Sequence, residues 1–298
     1  MAEMSSDTTS GFVRLMLHIR NRYHPLFHLR RFRLFQLVTR ALDLPVAVRY
    51  HLVPHRLYVS LSKNLSSLLT RGAAAEEGER ENFIWILNRA GFRSFVDVGA
   101  NVGVYGFLFG ALVPGPQVIF VEPDRSNARL IRRTIAASKS SATLVEAAIS
   151  DRIGDLDFHR DTVTGATGSL VHVGENSFIS THHNATPTRM KVRVTTLDEL
   201  CHLQHPDFIK IDVEGAELDV LRGATRILTD TRPALMFECD QKQEEVRALL
   251  ERFGYRFFDM ETFSPVDAIP HNCLALHKTG HAALIEAVRE KSLVAMGH

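Results

Sequence analysis

From residue 95 onward, the sequence alternates short apolar segments with longer segments of helical character. The apolar segments, such as VIFV at 118–121 and FIKI at 208–211, have the length of a strand and are rich in Val, Ile and Phe. Strands of this composition, each followed by a helix, are typical of a parallel sheet that helices cover on both sides. The alternation therefore predicts a doubly wound α/β fold, in which ATLVEAAIS at 142–150 is one strand and AELDVLRGATRIL at 216–228 is one helix. Residues 255–278 lack a helical period and are predicted to add antiparallel edge strands.

Two regions depart from this alternation. Residues 155–195 are rich in Thr, Ser, His and Gly and are strand-like only in patches, which predicts a β-rich insertion at the sheet edge, where it could cover a site. Residues 1–80 form an N-terminal extension with a basic, helix-like part and then short strands that split at Pro54. We therefore divide the chain into this extension, an α/β domain at 81–280 and a C-terminal helix or tail at 281–298.

Composition excludes several classes of protein. Lys and Arg number 35 against 34 Asp and Glu, so the total charge gives no argument for a nucleic-acid partner, and we expect none. Cys201, Cys239 and Cys273 have neither metal-binding spacing nor a disulfide pattern, which favours a reduced, cytoplasmic compartment. The N-terminus lacks the order of a secretory signal, and no apolar run reaches the about 18 residues of a membrane span.

The basic part of the extension has two interpretations. Residues 11–60 contain nine arginines with apolar residues between them. In helical spacing they could form an amphipathic segment that lies against an anionic membrane surface or a partner in a biosynthetic complex. The alternative, which is the commoner case, is a solvated helical face packed on the domain behind it. The sequence does not indicate an oligomeric state.

The stretch FVDVGANVGVYG at 95–106 predicts a ligand-binding turn between a strand and a helix. Gly99 and Gly103 allow the backbone to approach a ligand closely. A dinucleotide fold needs a further glycine where this chain has Asn101, because the backbone must close on a pyrophosphate there. Asp97 would repel a pyrophosphate but would pair with an ammonium group. The turn therefore indicates a phosphate-free, cationic ligand.

Glu122 supplies the second indication. It follows the next predicted strand about twenty residues after the turn, where a carboxylate can accept hydrogen bonds from both hydroxyls of a ribose. Asp97 could pair with an amino-acid head and a sulfonium, and Glu122 could bind a ribose. Together the two acids describe a site for S-adenosylmethionine. Either acid alone is a weak signal, since acids at strand ends are often ordinary loop residues or helix caps.

The segments FVDVGANVGVYG, VIFVEPD, TTLDEL and DFIKIDVEGAELDVLRGA occur in this order in FkbM-type methyltransferases, which the chain resembles over roughly residues 93–260. These enzymes use S-adenosylmethionine and mostly methylate hydroxyls of sugars and polyketides. The resemblance implies a Rossmann-like, mostly parallel sheet of seven strands. It also implies a set of cofactor-binding residues: Asp97, Gly99, Ala100, Asn101, Gly103, Tyr105, Glu122, Ala147, Ala148 and Asp212.

The segment IKIDVEGAE is the predicted site of chemistry. Lys210 and Asp212 share one face of its strand, and Asp212 stands at the carboxyl end. A positioned carboxylate could remove the proton of an acceptor hydroxyl. We predict Asp212 as this base, with Glu214 second and Glu238 near enough to take part.

Three other predictions concern this region. The three converging carboxylates could instead hold a Mg²⁺ ion, although we predict no metal site. Glu217 is interpreted as an acid that interacts with a helix dipole. Four histidines of the insertion are weaker candidates for a base or a sugar contact: His159, His172, His182 and His183.

The sequence thus predicts an S-adenosylmethionine-dependent O-methyltransferase that acts on a hydroxyl of a sugar, polysaccharide or natural product. Its acceptor would be a small molecule or a glycan. Two alternatives stay open at this point. One is a nicotinamide- or flavin-dependent oxidoreductase with the same strand-glycine-helix start, and the other is a non-catalytic cofactor-binding module that docks on a membrane or a biosynthetic partner.

Overall fold

A computed structural model describes residues 44–50, 52–60, 63, 77–160, 168–170 and 188–296. The basic segment predicted before residue 44 and most of the histidine-rich part of the insertion lie outside these residues. Within them, no helix combines the length and the apolar character needed to cross a membrane.

The described residues form twelve strands and eight helices. The strands are β1 Pro45–Arg49, β2 Arg56–Ser60, β3 Ser94–Val98, β4 Gln117–Val121, β5 Thr143–Val145, β6 Ala148–Ile149, β7 Gly154–Arg160, β8 Thr188–Thr195, β9 Phe208–Ile211, β10 Ala234–Glu238, β11 Tyr255–Asp259 and β12 Asn272–His277. The helices are α1 Glu77–Ala90, α2 Val104–Leu112, α3 Arg125–Ser138, α4 Leu197–Leu200, α5 Glu217–Arg222, α6 Thr225–Asp230, α7 Gln243–Arg252 and α8 Ala282–Met296.

Seven strands form the central sheet in the order β11-β12-β10-β9-β3-β4-β5. The five strands from β10 to β5 are parallel, and β12 pairs antiparallel with both β10 and β11. The prediction of a doubly wound α/β fold is therefore confirmed. The predicted antiparallel pairing is present at this end of the sheet, but the strand that runs against the others is β12, and β11 forms the edge. The strand order reverses between β3 and β9, and in such sheets ligands bind beyond the carboxyl ends of the strands at this reversal.

Helices cover both faces of the sheet because the strands alternate their side chains. In β3, Phe95 packs with residues of α1, α2, α3 and α8 on one face, whereas Val96 packs with residues of α5, α6 and α7 on the other. Asp97 shares the face of Phe95. This alternation places a buried acid at the end of an otherwise apolar strand.

The N-terminal extension ends in a hairpin of β1 and β2, which pair antiparallel from Pro45 opposite Ser60 to Arg49 opposite Arg56. The two strands predicted on either side of Pro54 are thus present. The hairpin packs on α3, where the Tyr58 amide donates to Thr134 Oγ1 at 2.9 Å.

Two predicted elements are wrong in their extent. The stretch ATLVEAAIS was predicted as one strand, but the chain leaves the central sheet after Val145, and Ala148–Ile149 instead pairs with β8 in a separate three-stranded sheet of β6, β8 and β7. The hydrogen bond from Ser150 N to Thr195 O, 3.0 Å long, continues this second pairing. The small sheet, which we call the β-arm, consists of β6, β7 and β8 with residues 168–170.

The stretch AELDVLRGATRIL was predicted as one helix but forms α5 and α6, with a break at Gly223. A Cβ atom at Gly223 would lie 2.1 Å from the Ser150 carbonyl oxygen, so the chain passes too close to β6 for any larger residue. The Asp198 carboxylate accepts hydrogen bonds from the amides of Arg226 and Ile227 at 2.8 and 2.9 Å. These bonds satisfy two amide groups in the first turn of α6 that have no partner within the helix, and they therefore stabilise the break.

Candidate active site

The turn after β3 adopts a left-handed backbone at three positions, with φ of 75° at Gly99, 55° at Asn101 and 81° at Gly103. A Cβ atom at Gly99 would lie 1.8 Å from the carbonyl oxygen of Asp212, so the turn packs directly on the end of β9. Asn tolerates the left-handed region better than most other residues. The sequence thus places glycines and Asn where the turn requires them.

Glu122 ties this turn to the end of β4. Its carboxylate accepts hydrogen bonds from Asn101 N at 2.7 Å and from Asp124 N at 2.8 Å, and its side chain also bonds Asn127. Glu122 is only 4% exposed, and burial raises its pKa to about 8, although the backbone donors oppose this rise. Each carboxylate oxygen has a second lone pair, so Glu122 retains the capacity to accept from a ribose hydroxyl.

A crevice of about 570 Å³, including its solvent-open mouth, lies beyond the carboxyl ends of these strands. Six of the predicted site residues line it: Gly99, Asn101, Glu122, Ala147, Ala148 and Asp212. Sequence reasoning missed the contributions of α3 and the β-arm, which are Asp124, Asn127, Phe158, Gly168 and Leu170.

Four other predicted cofactor residues stand behind the crevice rather than in its lining: Asp97, Ala100, Gly103 and Tyr105. The Asp97 carboxylate is 1% exposed and accepts a hydrogen bond from Gly106 N at 3.0 Å. Burial raises the pKa of Asp97 to about 6, and the positive charge of Lys210 opposes the rise. The Tyr105 ring packs edge-on against Phe83 with 5.2 Å between centroids. Direct contact of Asp97 and Tyr105 with a ligand stays a prediction.

A row of charged side chains runs from Asp97 across β9 to β10. Asp97 and Lys210 are register partners on neighbouring parallel strands, and Lys210 Nζ lies 2.7 Å from Asp212 Oδ2. Burial alone would lower the pKa of Lys210, but the carboxylates of Asp212 and Asp97 hold it above its usual value. Glu238 is the next member, as its side chain is a hydrogen-bonding neighbour of Asp212.

His271, from the loop before β12, ends this row. Its Nε2 lies 2.8 Å from Glu238 Oε1 and its Nδ1 lies 2.6 Å from Asp240 Oδ1. When both carboxylates are ionised they only accept hydrogen bonds, so both ring nitrogens then donate and His271 is a cation. Burial lowers the pKa of His271, but Asp240 and Glu238 raise it further than burial lowers it. No sequence signal marked His271, because it follows Glu238 by more than thirty residues.

Desolvation and the negative charge of Asp212 raise the pKa of Glu238, whereas Lys210 and His271 lower it. Glu214 stands in the loop after β9 with φ of 54°, and its pKa is raised by desolvation and then by the charges of Asp212 and Glu238. The Glu214 side chain is exposed, so water screens these charges and only the direction enters the argument. The site thus brings the three predicted carboxylates close enough to interact, and buried Lys210 neighbours Asp212 and Glu238.

Glu217 and the histidines occupy other positions. Glu217, in the first turn of α5, is 2% exposed and accepts a hydrogen bond from Gly215 N at 2.9 Å. His159 lies on β7, and His172, His182 and His183 lie outside the described residues. Among the residues that the structure does describe, no three His, Cys, Asp or Glu side chains are arranged so that they could hold a metal ion.

The family described as "Methyltransferase FkbM domain" matches residues 97–257, which is more than half of the chain. The chain belongs to the FkbM methyltransferase family. The 2-O-methyltransferase NoeI of Sinorhizobium fredii is 31% identical over 173 residues, covering 52% of this chain and 69% of NoeI. The hexuronic acid methyltransferase AglP of Haloferax volcanii is 24% identical over 156 residues, covering 51% of this chain and 54% of AglP.

A solved structure of an FkbM methyltransferase from Methylobacillus flagellatus covers 63% of this chain, which in turn covers 44% of that protein, at 17% identity and a TM-score of 0.43. Membership of this methyltransferase family excludes the oxidoreductase that the glycine turn left open.

FkbM methyltransferases use S-adenosylmethionine, and the crevice fits that molecule. Ala147 and Ala148 are small, which leaves room for a flat base, and Glu122 offers acceptor oxygens for ribose hydroxyls. Asp212 adds a carboxylate to the same lining, which suits a cationic sulfonium. The turn has Asn101 where a pyrophosphate site needs glycine, so the fit is to a phosphate-free nucleoside.

Proposed function

We propose that this FkbM methyltransferase transfers the methyl group of S-adenosylmethionine to a hydroxyl of a sugar, within a glycan or a glycosylated natural product. The names of the relatives NoeI and AglP, a 2-O-methyltransferase and a hexuronic acid methyltransferase, support a sugar acceptor. The observation that most favours the proposal is the position of Asp212, which both lines the cofactor crevice and belongs to the charged row.

In this proposal, one group of residues binds the cofactor, and Asp212 takes part in the methyl transfer. Glu122 accepts hydrogen bonds from the ribose, and Ala147 and Ala148 lie beside the base. The buried carboxylate of Asp97 provides negative charge behind the turn, at the end where the amino-acid part of the cofactor would lie. Asp212 stands between the cofactor and the acceptor.

S-adenosylmethionine supplies an electrophilic methyl group on a sulfonium. The chain contributes alignment, and holding the acceptor oxygen about 3–3.5 Å from the methyl carbon can lower the barrier by about 7–11 kcal/mol. The acceptor hydroxyl must also lose its proton as the new C–O bond forms. Asp212 accepts this proton, since its carboxylate lines the crevice and Lys210 Nζ, 2.7 Å from its Oδ2, holds it in position.

Glu238 and Glu214 are the other candidates for the base. The pKa values of both are raised, which favours their protonated forms and makes each a weaker candidate for the base. Glu238 is better suited to share a proton with Asp212, since the two side chains are hydrogen-bonding neighbours. Docking of the basic segment before residue 44 on a membrane or a biosynthetic partner stays a prediction. A cytoplasmic location stays a prediction as well.

Calorimetric titration with S-adenosylhomocysteine, and in parallel with NADH, tests the cofactor assignment. We expect heat of binding with the first ligand and none with the second. Incubation with S-adenosylmethionine and a panel of free and glycosidic sugars, followed by mass spectrometry, should then show a gain of one methyl group on a hydroxyl. Binding of NADH without binding of S-adenosylhomocysteine would contradict the proposal.

A further inference from the structure

The β-arm lies over the nucleoside end of the crevice with an apolar face. Phe158 of β7 is 5% exposed and forms a small core with Ala148, Val192 and Val194. The same Phe158, together with Gly168 and Leu170, lines the crevice that Glu122 and Ala148 also line. The arm therefore has one apolar surface that faces both its own core and the cavity.

One polar contact fixes the arm to α3. Arg160, at the end of β7, pairs with the Asp124 carboxylate and donates to Ser126 Oγ. Asp124 is 5% exposed, caps α3 through the Ser126 amide at 2.7 Å and donates its own amide to Glu122. Arg160 is thus linked through Asp124 to Glu122, the acid that we assign to the ribose.

A second polar contact fixes the arm to the loop after β9. Ser169 is 1% exposed, and its hydroxyl donates to the Glu214 carbonyl oxygen at 2.7 Å. A pair of backbone hydrogen bonds with His159, 2.8 and 3.1 Å long, holds Ser169 on β7. The arm is therefore attached on both sides of the crevice, to the ribose side through Arg160 and to the Asp212 side through Ser169.

Gly168 sets how closely these parts pack. A Cβ atom at Gly168 would lie 2.5 Å from the tip of the Phe158 ring. Any larger residue would force the ring to move, and the ring forms part of the crevice lining. The position of Phe158 thus depends on the absence of a side chain at Gly168.

We infer that the β-arm forms a wall of the nucleoside site, in which Phe158 and Leu170 contact the adenine base while Arg160 and Ser169 act as positioning residues. The inference rests on the proposed cofactor, and it assigns binding residues outside the glycine turn and the strand ends. An aromatic or aliphatic side chain against a base excludes water from one of its surfaces and stabilises binding by stacking and apolar contact.

Two ligands distinguish binding of the base from binding of the amino-acid part of the cofactor. S-adenosylhomocysteine contains both, whereas methylthioadenosine contains the base, the ribose and a methylthio group but no amino-acid part. We expect Phe158→Ala to raise the Kd of both ligands by about tenfold, and by the same factor, because the lost contact is with the base. Asp97→Asn should instead weaken S-adenosylhomocysteine and leave methylthioadenosine unchanged.

The roles of Arg160 and Ser169 must be tested with a measurement that a loss of folding would not reproduce. Ser169→Ala and Arg160→Gln should each weaken both ligands about three- to tenfold, mainly by faster dissociation in stopped-flow experiments. Arg189→Gln is the matched control, because Arg189 pairs with Asp157 on the same arm but is exposed and absent from the crevice lining. Its Kd should stay within about twofold of the wild type, a change worth less than 1 kcal/mol.

Thermal melting without ligand identifies variants that fail to fold, and Leu170→Ala provides a second, milder test of the wall if Phe158→Ala is such a variant. Equal affinities of the wild type, Phe158→Ala and Leu170→Ala for methylthioadenosine would refute the wall while leaving the proposed function intact. A wild-type protein that binds neither ligand would refute both.

Discussion

Asp97 is a buried acid whose ionisation costs folding free energy, which allows a quantitative prediction. Its pKa rises from 3.8 to about 6 on folding, chiefly through burial, and Asp97 is 1% exposed, so solvent screens it little. A group with a raised pKa stabilises the fold below its unfolded pKa, and this stability is lost as the pH rises through the folded pKa. About two pH units at 1.36 kcal/mol each give about 3 kcal/mol, lost between about pH 4 and pH 7.

Asp97→Asn removes this ionisation while retaining a carbonyl oxygen that can accept from Gly106 N. We therefore expect the free energy of unfolding of Asp97→Asn, relative to the wild type, to increase by about 3 kcal/mol from pH 4 to pH 7. Urea denaturation at unit steps of pH, with linear extrapolation to water, measures this difference. Asp155→Asn, at an exposed position of β7, is the control and should show no such trend.

A relative stability of Asp97→Asn that does not change with pH would refute the reasoning. In that case the charge of Lys210 would already compensate the buried carboxylate fully. The same variant should bind S-adenosylhomocysteine more weakly than the wild type. A more stable protein with a weaker cofactor site is the expected combination, since functional sites often retain acids that cost stability.

Three further predictions concern the charged row and the turn. Asp212→Asn should leave the Kd of S-adenosylhomocysteine within a few-fold but lower turnover about 10²–10⁴-fold in a methyl-transfer assay, and unchanged turnover would remove Asp212 as the base. His271→Gln removes the cation that lowers the pKa of Glu238, so the acidic limb of the pH–rate profile should move to higher pH. An acidic limb that does not move would show that Glu238 takes no part in the reaction. Gly99→Ala should abolish S-adenosylhomocysteine binding in calorimetry, because its Cβ would lie 1.8 Å from the Asp212 carbonyl oxygen. Gly110→Ala on α2 should bind normally, because its Cβ would make only an ordinary contact with Val118 Cγ2 at 4.0 Å.

The sheet could be predicted from the sequence because most of its strands are apolar, and β3, β4, β9 and β10 each precede a helix. The turn could be predicted because Gly99 and Gly103 are needed for a left-handed backbone, which few other residues adopt. The carboxylates at 212 and 238 could be placed together because the carboxyl ends of parallel strands meet at one edge of the sheet. Each of these predictions depends on a local pattern or on a general rule of topology.

Other features depend on contacts that no local pattern encodes. Lys210 pairs with Asp97 only because β3 and β9 adopt a particular register, and His271 enters the site from a loop that the sequence does not mark. The break at Gly223 results from the passage of β6 next to it, and a strong helical pattern concealed it. The crevice lining by Phe158 depends on the course of an insertion with little sequence pattern of its own.

Within the charged row, Asp97 and Asp212 place two carboxylates beside one buried ammonium, Lys210. The net negative charge of these three groups attracts a positively charged ligand more than a neutral ligand of the same shape. S-adenosylmethionine has a positive sulfur, and S-adenosylhomocysteine, which remains after the methyl group leaves, does not. We therefore expect the spent cofactor to lose part of its affinity through the reaction itself, so that turnover proceeds with little product inhibition and added salt reduces the discrimination between the two.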